Sequence, residues 1–403
     1  MHAKKYDVAI VGGGIVGMAT AYKLQLKFPN LNIIVIEKEK SLAEHQTGRN
    51  SGVIHSGLYY RPGSLRSKNC FSGRIQLVKF AQKYNINHEI CGKIVLATNH
   101  QESNRLIDLK KNGEKNGLTG LKILDQDEIK KIEPFAVGLC ALWVPQSGII
   151  DYKSVTNKFA DLILEINPNS KILKKCQVLE VKNNLLISNL GSIVTKNAIF
   201  CGGLFSDRLA EMDNVKIDTK IVGFRGDYYE LTKEATNKVQ NLIYPVPNPD
   251  FPFLGVHFTR MTDGCIECGP NAVFTFKREG YHRLSFNLKD TLDSLGFVGT
   301  WKLFINNWKF GLKEYRRAFS KRLFLKELRK MVPSLNMNDL KIGRSGVRAM
   351  ALDKNGVVLD DFKIINHMNH IHVLNAPSPA ATACLSIADH VVNNFVENCN
   401  LNK

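Results

Sequence analysis

The chain has no long hydrophobic run, no low-complexity tract and no internal repeat in its 403 residues. No apolar stretch approaches the roughly eighteen residues that cross a bilayer as a helix, and the N-terminus lacks the apolar core of a signal peptide. These absences argue against a membrane-spanning helix, a secreted chain and a repeat architecture. With 44% hydrophobic and 23% charged residues, the composition predicts a globular cytoplasmic protein of two interleaved domains.

A disulfide-like spacing of cysteines is also missing. The nine cysteines are an odd number scattered through apolar and loop contexts, which favours a reducing cytoplasm. Cys265 and Cys268 form a CxxC pair, but no second pair of cysteines or histidines stands at metal-ligand spacing. Alternating residues of a strand explain this pair better than zinc or redox chemistry does, so we expect no metal site.

Acidic residues are few relative to basic ones, with 37 Asp and Glu against 55 Lys and Arg and a net charge of +18. A basic surface attracts anionic substrates, anionic lipid or nucleic acid. Ten of the basic residues lie between positions 301 and 331, interleaved with aromatic residues. This segment is either the solvated face of a helical cap or a surface that contacts an anionic membrane. Nucleic acid is not expected, because no recognised nucleic-acid module accompanies the charge.

The N-terminal sequence carries a dinucleotide-binding pattern. An apolar run at 6–11 predicts a buried strand, and the motif GGGIVG at 12–17 opens a helical pattern. Gly12 permits a tight turn, Gly14 lets the backbone approach a pyrophosphate, and Gly17 lets the helix pack close to the strand. The helix N-terminus can then bind phosphate oxygens.

A second predicted strand at 32–36 ends in Glu37, about 20 residues beyond the last glycine, where a carboxylate accepts hydrogen bonds from ribose hydroxyls. The strand, the glycine turn, the helix and the acid together predict a bound adenine dinucleotide. No second pattern of this kind occurs in the sequence, so a bound NAD(P) is not expected in addition.

Two further segments indicate a flavin. Residues 46–60 are rich in glycine and small polar side chains, which suits backbone laid against a flat ring, with Arg49 and Asn50 able to contact phosphate or ribitol. His55 would lie near that ring as a hydrogen-bonding group, an acid or base, or a covalent attachment point, and a turn histidine bonded to backbone is the alternative. Residues 371–382 predict a strand, a rigid turn and a helix start whose positive end faces the flavin.

With these motifs in view, the chain resembles the L-2-hydroxyglutarate dehydrogenase (oxidase) family, one of the FAD-dependent oxidoreductases related to D-amino-acid oxidase and glycine oxidase. The resemblance runs from residue 6 to about 390. Its motifs are HQTG at 45–48, NSGVIHSG at 50–57, FRGDY at 224–228, YPVP at 244–247, FPFLGVHFT at 251–259, GPNAV at 269–273, FKREGY at 276–281, GVRA at 346–349 and NAPSPAAT at 375–382. Met350 replaces an expected glutamine, and Gly202 replaces an alanine.

The resemblance implies an α/β fold class: an FAD-binding Rossmann-like domain of the glutathione-reductase and D-amino-acid oxidase type, with an interleaved antiparallel-sheet substrate domain. We assign 1–85, 145–220 and 334–403 to the FAD-binding domain, 86–144 and 221–333 to the substrate domain, and about 289–331 to a basic helical cap. The predicted contacts of noncovalent FAD are Gly12, Gly14, Ile15, Val16, Gly17, Glu37, Lys38, Thr47, Arg49, Asn50, Ser51, Gly52, Val178, Gly202, Gly203, Pro379, Ala380, Ala381 and Thr382.

The implied reaction oxidises L-2-hydroxyglutarate to 2-oxoglutarate by hydride transfer to flavin N5 while a base removes the hydroxyl proton. Electrons then pass to a membrane quinone or to oxygen, which would place the protein in the cytoplasm, on the inner face of the cell membrane. One alternative is an FAD-dependent amine, amino-acid or glycerol-3-phosphate oxidoreductase, and another is a non-redox or RNA-modifying flavoprotein that uses the basic surface.

A substrate with two carboxylates needs two cationic anchors, because an unpaired buried carboxylate is costly. We predict Arg348 first and Arg225 second, whereas structural ion pairs explain Arg260 and Arg278 equally well. His257 is the predicted base and His55 its rival. Three tyrosines could bind a carboxylate or fill the pocket wall: Tyr60, Tyr228 and Tyr244.

Overall fold

The computed structural model describes residues 5–248 and 255–398 of the chain. Its framework consists of an eight-stranded, a nine-stranded and a three-stranded β-sheet. Within the described ranges, none of the helices combines the length and the apolar character that a membrane span requires. Of the predicted motif at 251–259, residues 251–254 lie outside the described residues.

The eight-stranded sheet has a parallel centre, as a dinucleotide-binding domain requires. Its central strand Lys5–Val11 is parallel to both neighbours and packs into two apolar clusters, one around Ile10 and one around Ile36. The strands in spatial order are Val178–Lys182, Leu185–Ser188, Gly191–Phe200, Lys5–Val11, Ile33–Ile36 and Lys171–Leu173, with His370–Asn375 beside Gly191–Phe200 and Lys363–His367 beside His370–Asn375.

Four helices supply buried side chains to the cluster around Ile10: Ile15–Lys27, Leu65–Lys83, Tyr152–Ile166 and Cys384–Asn398. Ser64 and Asp151 cap two of them, because each side chain accepts a hydrogen bond from a backbone N–H of the first turn. The short helix Ser206–Met212, preceded by the 3-10 turn Gly203–Phe205, contributes Leu209 to the other cluster.

The nine-stranded sheet is mainly antiparallel. In spatial order its strands are Val273–Phe274, Thr219–Leu231, Ile266–Gly269, His257–Arg260, Leu242–Pro245, Lys93–Ala97, Cys140–Val144 and Lys122–Leu124, and Leu340–Asp353 pairs along Thr219–Leu231. The helices His100–Lys115 and Gln126–Ile132 lie between its strands in sequence, as do the 3-10 turns Lys233–Lys238 and Met337–Asp339. A three-stranded sheet of Val53–Ile54, Gly148–Ile150 and His88–Glu89 brings together segments from both predicted domains.

The predicted helical cap at about 289–331 forms four consecutive helices: Leu288–Leu295, Val298–Asn306, Trp308–Phe319 and Lys321–Leu328. Phe304 and Tyr315 pack with Phe224 and Phe274 of the nine-stranded sheet, while Phe324 is buried in a second cluster of that sheet. The segment therefore covers the sheet with one part of its apolar surface. The exact division into two domains stays a prediction.

Two local predictions concern the CxxC pair at 265–268 and the segment 371–382. The pair Cys265 and Cys268 belongs to a strand region, since Ile266–Gly269 is extended and both thiols are free. The strand, turn and helix predicted at 371–382 occur in that order, as the strand His370–Asn375, turns at 378–383 and a helix that begins at Cys384, two residues beyond the predicted segment. The prolines at 377 and 379 disfavour helical geometry in the residue before each of them, which separates the strand from the helix.

Candidate active site

A cavity of about 1050 Å³ reaches from the glycine turn at 12–17 to His257. Residues from the parallel sheet line one part of it, and residues from the antiparallel sheet line the other part. The cavity therefore offers a dinucleotide end and a second, polar end where both sheets meet.

At the dinucleotide end, the three glycines have different physical roles. A Cβ atom on Gly12, whose φ is +118°, would lie 2.4 Å from the carbonyl oxygen of Cys201, and a Cβ atom on Gly17 would lie 2.1 Å from that of Gly12. A Cβ atom on Gly14 would meet only Thr47 Oγ1, at 3.4 Å. Gly12 and Gly17 are thus required by packing within the protein, whereas Gly14 leaves room for a ligand on the cavity side.

The same end carries polar groups suited to an adenosine diphosphate. The Ile15 N–H donates to Thr47 Oγ1 at 3.0 Å, which fixes the loop beside the helix N-terminus. The Glu37 carboxylate accepts from the N–H groups of Gly13 at 2.7 Å and Glu39 at 2.8 Å. Each carboxylate oxygen keeps acceptor capacity for a ribose hydroxyl, so the donor and acceptor set fits FAD.

Most of the predicted cofactor residues line this cavity: Gly12, Gly14, Ile15, Val16, Gly17, Glu37, Lys38, Thr47, Arg49, Asn50, Ser51, Val178, Gly202, Gly203, Pro379, Ala380 and Ala381. Gly52 and Thr382 do not line it. The Gly52 N–H donates to Asn50 Oδ1 at 2.8 Å, and Thr382 Oγ1 accepts from the His55 N–H at 3.1 Å. These two residues support the lining loops from behind.

Three polar side chains that line the cavity form hydrogen bonds or ion pairs with other residues of the protein. The Arg49 guanidinium lies 3.9 Å from the Tyr281 ring centroid and donates to Glu44 O. Asn50 Nδ2 donates to Thr47 O at 2.9 Å. The Lys38 ammonium pairs with Glu39 and Glu279 at 2.7 and 2.5 Å. These side chains shape the loop whose backbone faces the cavity.

Arg344, which was not predicted from the sequence, joins the loop at 48–50 to the antiparallel sheet. Its guanidinium donates to Gly48 O at 2.8 Å and Asn50 O at 2.6 Å, and it pairs with buried Glu267. It lies on the strand Leu340–Asp353, four residues before Arg348. One strand therefore holds the cofactor loop and also presents Arg348 to the cavity.

At the other end of the cavity, His257 is held in one tautomer. Its Nδ1 lies 2.9 Å from Gly255 O, which requires a proton on Nδ1 and leaves Nε2 with a lone pair. The ring stacks on Tyr244 with 3.9 Å between centroids. Burial lowers the pKa of His257 to about 3, opposed by the Gly255 hydrogen bond, so the imidazole is neutral at physiological pH and can accept a proton.

His55 also lines the cavity. Burial, with smaller contributions from Lys93 and His257, lowers the pKa of His55 to about 3. No hydrogen bond orients its ring within the part of the chain that the structure describes, whereas the ring of His257 is oriented. The geometry thus favours His257 as the base.

The two predicted arginine anchors have different positions. Arg348 lines the cavity and donates to Asn271 O at 3.4 Å. Arg225 does not line it: its guanidinium pairs with Asp227 at 2.8 Å and donates to His282 O at 2.8 Å. The prediction of Arg225 as second anchor is therefore not supported, because a neighbouring carboxylate already neutralises its charge.

The remaining arginine candidates form structural pairs. Arg278 is 1% exposed, donates to Leu204 O and pairs with Asp207 and Asp293. Arg260 pairs with Glu89 at 2.7 Å.

The three predicted tyrosines all line the cavity: Tyr60, Tyr228 and Tyr244. Arg66 and Tyr59 line it as well, although neither was predicted from the sequence. The Arg66 guanidinium donates twice to Ser378 O and lies 4.6 Å from the Tyr60 ring centroid. The tyrosine pair at 59–60 was a visible signal, whereas Arg66 joins it only through the fold. Met350, which replaces the expected glutamine, also lies on the lining and offers a thioether where an amide was expected.

Comparisons with known proteins agree with this geometry. The family model described as FAD dependent oxidoreductase matches residues 7–393. Among solved structures, L-alpha-glycerophosphate oxidase from Mycoplasma pneumoniae with FAD bound has a TM-score of 0.77 at 24% identity, covering 97% of this chain and 95% of that one. Glycine oxidase from Geobacillus kaustophilus has a TM-score of 0.71 at 14% identity, covering 98% and 95%. These similarities confirm the predicted fold class.

Several relatives carry the name L-2-hydroxyglutarate dehydrogenase, and three of them show the range of identity. The protein of Indibacter alkaliphilus is 46% identical, covering 96% of this chain and 98% of its own. The mitochondrial protein of Homo sapiens is 41% identical, covering 97% and 89%, and that of Escherichia coli is 40% identical, covering 96% and 92%. The chain belongs to the L-2-hydroxyglutarate dehydrogenase family of FAD-dependent oxidoreductases, as its motifs predicted.

Proposed function

We propose that this protein oxidises L-2-hydroxyglutarate to 2-oxoglutarate, with His257 as the general base and Arg348 as an anchor for a substrate carboxylate. The observation that carries the proposal is the fixed tautomer of His257, whose Nε2 can accept a proton in the cavity that Arg348 also lines. The names of the relatives support the substrate.

The side chains divide the chemistry among themselves. FAD, when bound, supplies the acceptor for the hydride that leaves the hydroxyl-bearing carbon. His257 Nε2 takes the hydroxyl proton, so the carbon loses two electrons and both hydrogens are accounted for. Arg348 offsets the charge of a carboxylate, and the tyrosine walls reduce the water that competes for it.

Gly14, Thr47 and Glu37 would hold the dinucleotide part of FAD, and we propose that no covalent bond to His55 is needed. The glycine turn and the fixed carboxylate of Glu37 support noncovalent binding of a dinucleotide at that end. His55 lies on the cavity lining, so a covalent link remains chemically testable at that residue.

We propose in addition that the helical segment 298–323 contacts an anionic membrane, so that electrons pass to a membrane quinone. Large apolar side chains are exposed along it, including Trp301 at 51%, Ile305 at 68% and Trp308 at 61%. The exposed basic residues among them are Lys302, Lys309, Lys313, Arg316 and Arg322. Interfacial aromatics beside cations suit an anionic lipid surface, where each cation contributes about 1 kcal/mol.

One basic residue of this segment does not belong to the contact surface. Arg317 is 9% exposed and pairs with buried Glu314, whose carboxylate also accepts from the Ala272 N–H at 3.0 Å. Arg317 therefore stabilises the packing of its helix, and changing it would test folding and not lipid binding.

We expect Gly14→Val to abolish FAD binding, because a branched side chain would occupy the space beside the helix N-terminus. The measurement is flavin absorbance per mole of folded protein. The matched control is Gly311→Val, since a Cβ atom on Gly311 meets no atom within 4 Å. After acid precipitation of the wild type, flavin should appear in the supernatant, whereas flavin in the pellet would show a covalent link.

We expect L-2-hydroxyglutarate to reduce the flavin much faster than its D-enantiomer or L-lactate does. Loss of one buried carboxylate contact costs about 2 to 5 kcal/mol, or roughly tens to thousands-fold in specificity. Anaerobic mixing with a panel of 2-hydroxy and 2-amino acids, followed by flavin bleaching, measures this directly. Equal rates with lactate would contradict a diacid substrate, and faster reduction by an amino acid or glycerol 3-phosphate would favour the alternative reactions.

We expect His257→Gln to slow flavin reduction by roughly 10²- to 10⁴-fold at unchanged FAD content, the usual range for loss of a general base. His55→Gln is the matched control and should have a smaller effect. Because the wild-type pKa is about 3, His257 is deprotonated in the free protein from pH 5 to 8 and should contribute no acid limb there. If His55→Gln is the slower variant, the two histidines exchange roles.

We expect the protein to sediment with vesicles that contain anionic lipid at low salt and to be released at high salt, because the ionic attraction is screened. Changing Lys302, Lys309, Lys313 and Arg316 to Gln should remove most of the binding. The control removes the same charge from exposed sites elsewhere: Lys68, Lys79, Lys171 and Lys196. Equal loss in both variants would show that net charge alone is responsible, and no binding would identify the segment as a solvated cap.

A further inference from the structure

Lys93 is a buried lysine that contacts two tyrosines of the cavity lining. Lys93 begins the strand Lys93–Ala97 and is 1% exposed. It forms no ion pair with any residue that the structure describes. Its ammonium nitrogen donates to the Tyr59 hydroxyl at 3.2 Å and lies 4.4 Å and 4.8 Å from the ring centroids of Tyr59 and Tyr244.

Such a placement is costly unless an anion compensates it. A charged amine taken out of water needs a partner of opposite charge, and contacts with aromatic faces recover only a part of this cost. Burial lowers the pKa of Lys93 to about 7, so its charge is easily gained or lost near neutral pH. A packing residue would not need an ionisable group at this position.

The surroundings of Lys93 point toward the cavity. Tyr59 and Tyr244 both line the cavity, and Tyr244 is stacked on His257. The other titratable groups near Lys93 are Cys70, His55 and His257, and its charge disfavours protonation of both histidines. Arg66 acts on His55 in the same way, as Arg348 does on His257. The cationic environment thus converges on one end of the cavity.

We propose that Lys93 is a positioning residue for the second carboxylate of the substrate, acting through the Tyr59 hydroxyl. The ammonium donates to the Tyr59 oxygen, and the phenol in turn directs its own proton to the carboxylate. This relay supplies the second cationic contribution that Arg225, already paired with Asp227, does not supply. The inference rests on the proposed function, because it requires a diacid.

The binding of a dianion should hold Lys93 in its charged form, since an anion nearby favours the ammonium. In the free protein, Lys93 is charged below its pKa of about 7 and loses its charge as the pH rises above that value. Affinity for the diacid should therefore fall above neutral pH, and this dependence should disappear when Lys93 is replaced by an apolar residue.

The test compares two substrates of equal length, L-2-hydroxyglutarate and L-2-hydroxyvalerate, which lacks the second carboxylate. In Lys93→Met we expect KM for the diacid to rise by roughly tenfold to a hundredfold, the usual value of a hydrogen bond to a charged group. The change in KM for the diacid should exceed the change in its kcat and the change in KM for L-2-hydroxyvalerate, while the FAD content stays that of the wild type. Tyr59→Phe should give the same pattern, and the double variant should be little worse than either single one.

An equal loss with both substrates would assign Lys93 and Tyr59 to packing and overturn the inference, as would an unchanged KM for the diacid in both variants. Failure of the proposed function is seen separately, in the wild type: a protein that L-2-hydroxyglutarate does not reduce has a different substrate whatever Lys93 does. If Lys93→Met does not fold, Tyr59→Phe decides alone, because it removes only one hydroxyl group.

Discussion

The structure depends on a contact that leaves no room for a side chain. A Cβ atom on Gly17 would lie 2.1 Å from Gly12 O, and one on Gly12 would lie 2.4 Å from Cys201 O. Three segments that are far apart in sequence meet at this point: the first strand, the first helix and the end of the strand Gly191–Phe200. Their close approach aims the helix N-terminus at the cavity, so the position of a cofactor phosphate is set by backbone geometry.

Buried ion pairs connect the antiparallel sheet to the dinucleotide-binding part of the protein. Arg278 and Asp207 are 1% and 0% exposed, and Asp207 also accepts from the Ile221 N–H at 3.0 Å. Removal of one partner from such a pair leaves an uncompensated charge and generally costs about 3 to 5 kcal/mol. The helix Ser206–Met212 is thereby fixed to the strand Thr219–Leu231, which pairs along the strand that carries Arg348.

Local chemistry could be predicted from the sequence, whereas long-range pairing could not. The glycine turn and Glu37 were predictable because their roles depend on a few neighbouring residues. Arg225 and Asp227 are two apart on one strand, and side chains two apart share a face, so their ion pair was visible in principle. The partner of Arg278 is 71 positions away, and the burial of Lys93 depends on Tyr59 and Tyr244 from other elements. Charge alone does not tell an anchor from a structural pair.

Arg344 has a consequence for the way the protein responds to its ligands. Its guanidinium donates hydrogen bonds to the carbonyl oxygens of Gly48 and Asn50. The strand Leu340–Asp353 carries both Arg344 and Arg348. If a bound cofactor orders this loop, the effect extends to the strand that carries Arg348, and thermodynamic reciprocity then requires that a ligand at Arg348 also orders the loop. A ligand held at Arg348 would then slow the loss of the cofactor, and a chain without the cofactor would bind that ligand more weakly.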